Sequence, residues 1–269
     1  MIPACKSPFL EHWFLAYTRR YLARSFHAVH LLGSLPAFPP DNGIPLLVCM
    51  NHSSWWDVML GLYAANDLFP WDTYALMDER QLHRYRFFAR IGVIGVDRTS
   101  LAGARELLQY AGTLLRGQRR ALWITAQGEM VSNRTRPIRF QSGVGHIAAS
   151  LGDFYFTTVA LHFEHWNERL PEAFLSTSPI ERVTASEGTF DRRKFVALQE
   201  QRMEAQVDTL IAEVDRRDPT AFQTLIHGKS GISPVYDAVR AVSARLKGER
   251  FSAEHGDVVT PRWGRGPEK

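Results

Sequence analysis

Leu46 to Met50 is an unbroken apolar run, preceded by the turn-forming stretch Pro39-Pro40-Asp41-Asn42-Gly43. A short continuous run of this kind predicts a strand buried on both faces, as in a parallel sheet. Pro45 is tolerated there because it falls at the start of the strand. Thr73 to Met77, Val93 to Val96, Ala121 to Thr125 and Phe154 to Phe163 read as further strands. Between them lie stretches with helical spacing. The clearest is Leu101 to Arg116, with Leu107, Leu108, Ala111, Leu114 and Leu115 on one side and Thr99 or Ser100 able to cap it. Strands alternating with helices predict an α/β fold: a central, mostly parallel sheet flanked by helices.

The rhythm changes at both ends. Residues 8–32 read as an amphipathic helix, whole or broken in two, with Leu10, Trp13, Phe14, Tyr17 and Tyr21 at helical spacing and Arg19, Arg20 and Arg24 alongside. Aromatic residues with arginines are the composition of a helix lying in a membrane interface; a helix simply docked on the core is the alternative. After Ile180, the residues Met203, Val207, Leu210, Ile211 and Val214 mark a helix that stops before Pro219. A second helix is expected over Val235 to Leu246, followed by a loose tail. The expected organisation is therefore an N-terminal amphipathic helical segment (1–35), an α/β domain (36–182) and a helical C-terminal extension (183–269).

Composition adds bounds. With 269 residues, 45% of them hydrophobic, the chain has material for one sizeable core. The net charge of +4 is small but uneven. Arg80, Arg84, Arg86, Arg90 and Arg98 fall in one segment, and Arg116, Arg119, Arg120, Arg134, Arg136 and Arg139 in another. Such a concentration suits phosphate-bearing ligands or an anionic membrane surface. No stretch reaches the roughly 18 consecutive apolar residues of a membrane-spanning helix. The apolar patches before residue 35 are interrupted by Glu11, His12, Arg19, Arg20 and Arg24, unlike a signal peptide. The expectation is a cytoplasmic protein, peripheral on the inner face of the membrane. Of the two cysteines, Cys49 lies in the apolar run and is expected to be a buried free thiol.

The candidate chemistry sits directly after that run, in Asn51-His52-Ser53-Ser54-Trp55-Trp56-Asp57. Side chains at the C-terminal end of a parallel strand face a ligand crevice. Asp57, five residues beyond His52, falls in the first turn of the next helix and can reach back to the imidazole. A carboxylate there fixes the histidine's tautomer and stabilises its protonated form, the logic of a serine triad without the serine. Acyl transfer to an alcohol needs such a base, together with donors for the developing oxyanion.

The stretch Asn51 to Asp57 resembles the Asn-His-x4-Asp first motif of the glycerolipid acyltransferases, the 1-acylglycerol-phosphate (PlsC-like) family. Later landmarks follow in that family's order. Gly95-Val96-Asp97-Arg98 resembles the second motif, closing on an arginine that helps hold an acceptor phosphate. Thr125-Ala126-Gln127-Gly128-Glu129 stands where the family has Phe-Pro-Glu-Gly-Thr, and Arg139-Phe140-Gln141-Ser142-Gly143 resembles its basic-x-x-x-Gly element. The resemblance implies an O-acyltransferase of phospholipid biosynthesis acting on two substrates without a covalent intermediate or a cofactor. The donor would be acyl-CoA or acyl carrier protein, and the acceptor a lysophospholipid or related lipid. His52 and Asp57 would be catalytic, with Asn51, Gly95, Arg98, Gln127, Gly128, Glu129 and Arg139 binding substrate. The third motif departs from the pattern: it lacks the proline, and the uncharged Gln127 replaces the glutamate. This leaves room for a glycosylated or other non-phospholipid hydroxyl, and for a non-catalytic lipid- or membrane-binding relative.

Other signals are weaker. Gly143-Val144-Gly145-His146-Ile147-Ala148 is a relaxed dinucleotide fingerprint, but no strand ends just before it. His162, Glu164 and His165, or Cys49 with His52, do not assemble zinc spacings. No Gly-x-Ser-x-Gly elbow supplies a hydrolase nucleophile. No recognition module for nucleic acid is present.

Overall fold

A computed structural model of the chain describes residues 1–185 and 189–230. Helix α1 (Pro8–Ser25) leads into strand β1 (Ala28–Leu32). Strand β2 (Leu46–Met50) is followed by α2 (Trp56–Tyr63), which runs on into a wider π-helical turn at Ala64–Leu68. Next come β3 (Asp72–Asp78), α3 (Glu79–Arg84), a 3-10 turn (Arg86–Ile91), β4 (Val93–Val96), α4 (Leu101–Leu115), β5 (Arg120–Thr125) and α5 (Gly143–Leu151). The chain then forms β6 (Asp153–Glu164), β7 (Glu172–Thr177), β8 (Glu181–Thr184), the long α6 (Arg192–Arg216) and β9 (Phe222–His227).

The strands make one sheet in the order β4-β3-β5-β2-β6-β7-β1-β9, with β8 pairing the first half of β6. From β4 to β6 every pairing is parallel, whereas β6–β7, β6–β8 and β1–β9 are antiparallel. The expected mixed α/β fold with a mostly parallel sheet and flanking helices is the observed one. β2 is central because all five of its residues are buried, with neighbours on both edges. Its alternation splits the core. Leu47 and Cys49 pack under α4, α5 and α6; Leu46, Val48 and Met50 pack under α1 and α2. Cys49 is a buried free thiol, its pKa pushed up by desolvation.

Local sequence explains several boundaries. Ser100 caps α4 by accepting from the Gly103 amide. Asp191 caps α6 through the amides of Arg193 and Lys194, and Arg217 ends that helix in the left-handed region, before Pro219. The reading of residues 8–32 as wholly helical requires correction. The helix stops at Ser25, and Ala28–Leu32 is a strand clamped between β7 and β9. Partners distant in sequence decide that conformation, which local spacing does not encode. The sheet thus takes strands from both flanking segments. The expected helix over Val235 to Leu246 and the tail lie outside the described residues.

Candidate active site

Because β2 and β5 are parallel neighbours, the loops that follow them leave the sheet side by side. The Ala126 amide donates to the Met50 carbonyl, and the Val131 amide donates to the His52 carbonyl at 2.7 Å. The first and third motifs are therefore stitched into one platform at the C-terminal edge of the sheet. That is where open α/β sheets hold their ligands.

His52 Nδ1 lies 3.0 Å from Asp57 Oδ2. The same oxygen accepts the backbone amides of Ser53 (2.5 Å) and Ser54 (2.6 Å), so the carboxylate organises the whole turn. The Asp57 side chain has no exposure and sits in the first turn of α2, where the helix dipole favours negative charge. His52 is 13% exposed, and among the described residues its Nε2 has no protein partner. An imidazole held at Nδ1 by a buried carboxylate, with Nε2 open, is the arrangement of a general base.

The flanking residues fall into distinct environments. Asn51 is 1% exposed and pinned to β6: its Nδ2 donates to the Leu161 carbonyl, and its Oδ1 accepts the Leu161 amide. Nδ2 also donates to Asn133 Oδ1 at 2.7 Å, and Asn133 in turn donates to Leu161 and lies 3.3 Å from His162 Nδ1. Desolvation lowers the pKa of His162, which stands half-buried on β6. Gln127 is buried, and its Oε1 accepts the His52 amide at 2.8 Å. Arg98 donates to the Gly128 carbonyl at 2.6 Å, joining the loop after β4 to the platform. Gly128 has φ +74°, and a Cβ there would come within 2.7 Å of Arg98 Nη2 and 2.6 Å of Gln141 Cγ. Glu129 is exposed beside it. Asp97 accepts from the Ser100 hydroxyl and from the Thr99 hydroxyl and amide, which holds its carboxyl down at about 2 and fixes the turn that carries Arg98.

Two candidates sit elsewhere. Gly95 exchanges backbone hydrogen bonds with Ile2, and a Cβ on it would meet Ile2 and Leu82 at 3.0 Å. It is a packing glycine between β4, the N-terminal residues and α3. Arg139 pairs with Glu200 of α6 at 3.0 Å. Glu200 and Glu204 also accept the amides of Phe140 and Ile138, so this loop is tied to α6. Asn133 gave no signal in the sequence: it lies in a polar loop without periodicity, and only the fold brings it to Asn51.

Among the described residues, cavities lie on both faces of the sheet. One of about 80 Å³ lies beside the site on the α2 face, lined by Met50, Val58, Leu62, Ala65, Met77 and Phe88 among others. A larger one, about 480 Å³, lies between β6–β7 and α6; its lining includes no residue of the Asn51–Asp57 stretch. Across the surface of α1 runs an aromatic ridge. Phe9 (77%), Trp13 (55%) and Tyr17 (43%) are exposed, while Phe14 and Leu22 face the core. Trp13 stacks on Tyr17, Tyr17 on Tyr21, and Tyr21 meets Trp55 of the His52 loop edge-on.

A family model for acyltransferases matches residues 28–162, half of the chain and the part that holds this platform. The chain belongs to the acyltransferase family. Among solved structures, the crystal structure of the 1-acyl-sn-glycerophosphate (LPA) acyltransferase PlsC from Thermotoga maritima is similar. The likeness covers 75% of this chain and 79% of that one, with a TM-score of 0.52 and 15% identity. At that identity it speaks for the fold. No curated protein matches the sequence. For an acyltransferase, no helix among the described residues is long and apolar enough to cross a membrane.

Proposed function

We propose that this acyltransferase moves a fatty acyl group from a thioester, acyl-CoA or acyl carrier protein, to a hydroxyl of a lysophospholipid-type acceptor. The observation that carries the reading is the His52–Asp57 pair at 3.0 Å at the end of β2, with Nε2 open. In this scheme His52 Nε2 takes the proton of the acceptor hydroxyl as its oxygen attacks the thioester carbonyl. Asp57 stabilises the resulting imidazolium. The carbon–sulfur bond then breaks, and the imidazolium returns the proton to the departing thiolate. No covalent enzyme intermediate is required. The small apolar cavity beside α2, lined by Met50 and Val58 on either side of the pair in sequence, has room for only the first few methylenes of an acyl chain. Arg98, joined to the platform at the Gly128 carbonyl, would be the cation that meets an acceptor phosphate. The similar Thermotoga protein is a 1-acyl-sn-glycerophosphate (LPA) acyltransferase, which makes lysophosphatidic acid the first acceptor to try here.

The aromatic ridge from Phe9 to Trp55 reaches the His52 loop, with Arg20 and Arg24 on the same helix. It supports docking on an anionic membrane, where both the acceptor and a long acyl chain reside.

A second reading, transfer to a neutral non-phospholipid hydroxyl, draws on Arg139 being engaged by Glu200. An acceptor panel with labelled acyl-CoA separates the two. Lysophosphatidic acid should be acylated, and Arg98→Ala should raise its KM about tenfold or more. Acylation of neutral acceptors only, insensitive to Arg98→Ala, would establish the second reading instead.

A further inference from the structure

We infer that Gln127 is a positioning residue for His52 rather than an acceptor-binding one, and that its lack of charge leaves the basicity of the imidazole to Asp57. The inference rests on the catalytic reading of His52. Gln127 stands where the third motif of the resembling family has a glutamate, so a role on the acceptor side would be expected. The side chain points the other way. Its Oε1 accepts the backbone amide of His52 at 2.8 Å, and the residue is only 7% exposed. Its backbone carbonyl accepts from Gln141 Nε2 at 3.0 Å, and the Gln141 amide donates to Ala126. Gln127 is therefore held at both ends, by the stretch before α5 and by the His52 amide.

The chemistry follows from what already surrounds the loop. Three donors, His52 Nδ1 and the amides of Ser53 and Ser54, converge on Asp57. The amide of His52 is the next donor in the same turn, and it needs an acceptor because the turn is largely enclosed. A carboxylate would serve, but it would place a second negative charge against the imidazole. Among the described residues, other charged and titratable groups of the neighbourhood include Arg98 on Gly128, the exposed Glu129, and His162 behind Asn133, itself acted on by Glu164, Asp215 and Arg134. A neutral amide fixes the histidine backbone and leaves its basicity to Asp57.

Two substitutions test this by different routes. In Gln127→Leu the His52 amide loses its acceptor, so its hydrogen exchange should speed up about tenfold or more. kcat should fall about tenfold, with the acceptor KM within about twofold of wild type. Gln127→Glu keeps the acceptor and should restore both the slow exchange and the kcat plateau. It should also move the rising limb of the kcat/KM profile about one pH unit upward, because the added charge favours the protonated imidazole. The inference is overturned if His52 exchange is unchanged in Gln127→Leu. It is equally overturned if the acceptor KM rises tenfold at constant kcat, or if the glutamate variant leaves the pH profile in place. The exchange measurement needs no turnover, so a chain without acyl-transfer activity would refute the catalytic reading and leave the Gln127–His52 link to be judged separately.

Discussion

Replacing Asp57 by Asn should separate activity from stability. The carboxylate lies 3.0 Å from His52 Nδ1, and its side chain has no solvent exposure. At about 3 Å and an effective dielectric of about 20, it attracts an imidazolium by roughly 5 kcal/mol. Partial exposure of His52 reduces this to about 3–4 kcal/mol. Only the charged state formed on proton abstraction benefits, so kcat should fall by a factor on the order of 10² to 10³ with little change in KM. The fold should tolerate the change. The Asn carbonyl oxygen can still accept the Ser53 and Ser54 amides, and a buried charge is removed, while Nδ2 takes the place of an oxygen that has no hydrogen-bond partner among the described residues. The melting temperature should therefore stay within about 3 °C of wild type. The assay is steady-state transfer from labelled acyl-CoA alongside a thermal melt. A kcat within fivefold of wild type, or a loss of activity explained by unfolding, would refute the reasoning.

Gly128→Ala should lower the melting temperature by several degrees and weaken acceptor binding, because φ +74° is strained for alanine by about 1–2 kcal/mol and the new Cβ collides with Arg98; a neutral outcome in melt and KM would contradict the platform. In native protein a thiol reagent should modify the exposed Cys5 quickly and the buried Cys49 only after unfolding, so two fast thiols would contradict the core assignment. The lowered pKa of Asp97 means that its contribution to stability is present above the ordinary carboxylate value near 3.8 and is lost as pH falls toward about 2. Melts of wild type and Asp97→Asn should accordingly converge across that window; a gap that stays constant would argue against the turn's hydrogen bonds. Trp13→Ser combined with Phe9→Ser should weaken cosedimentation with anionic vesicles, and unchanged binding would remove the docking proposal. Substitution is the right tool there, because truncating residues 1–34 would delete β1 from between β7 and β9.

The sheet from β2 to β6 was legible because buried parallel strands are written as local apolar runs, and Leu46–Met50 and Val93–Val96 fall where the pattern places them. β1, β7 and β9 were not legible, because their conformation comes from pairing with one another across the chain. His52 and Asp57 meet because a five-residue spacing across a strand-to-helix turn is a local property. The directions of the other side chains are not local. Nothing in the sequence says that Gln127 turns toward the His52 amide, that Gly95 packs on Ile2, or that Arg139 is taken by Glu200. Those choices depend on which strands adjoin and which helix covers them.

The most direct test of the account is acyl transfer from labelled acyl-CoA to lysophosphatidic acid by purified wild type and His52→Ala, each shown to be folded by its melt. Wild type should form labelled phosphatidic acid, and the variant should retain at most about a thousandth of that rate. Equal rates, or product from neither protein with any hydroxyl acceptor, would contradict the claim that His52, oriented by Asp57, is the base of an acyltransferase.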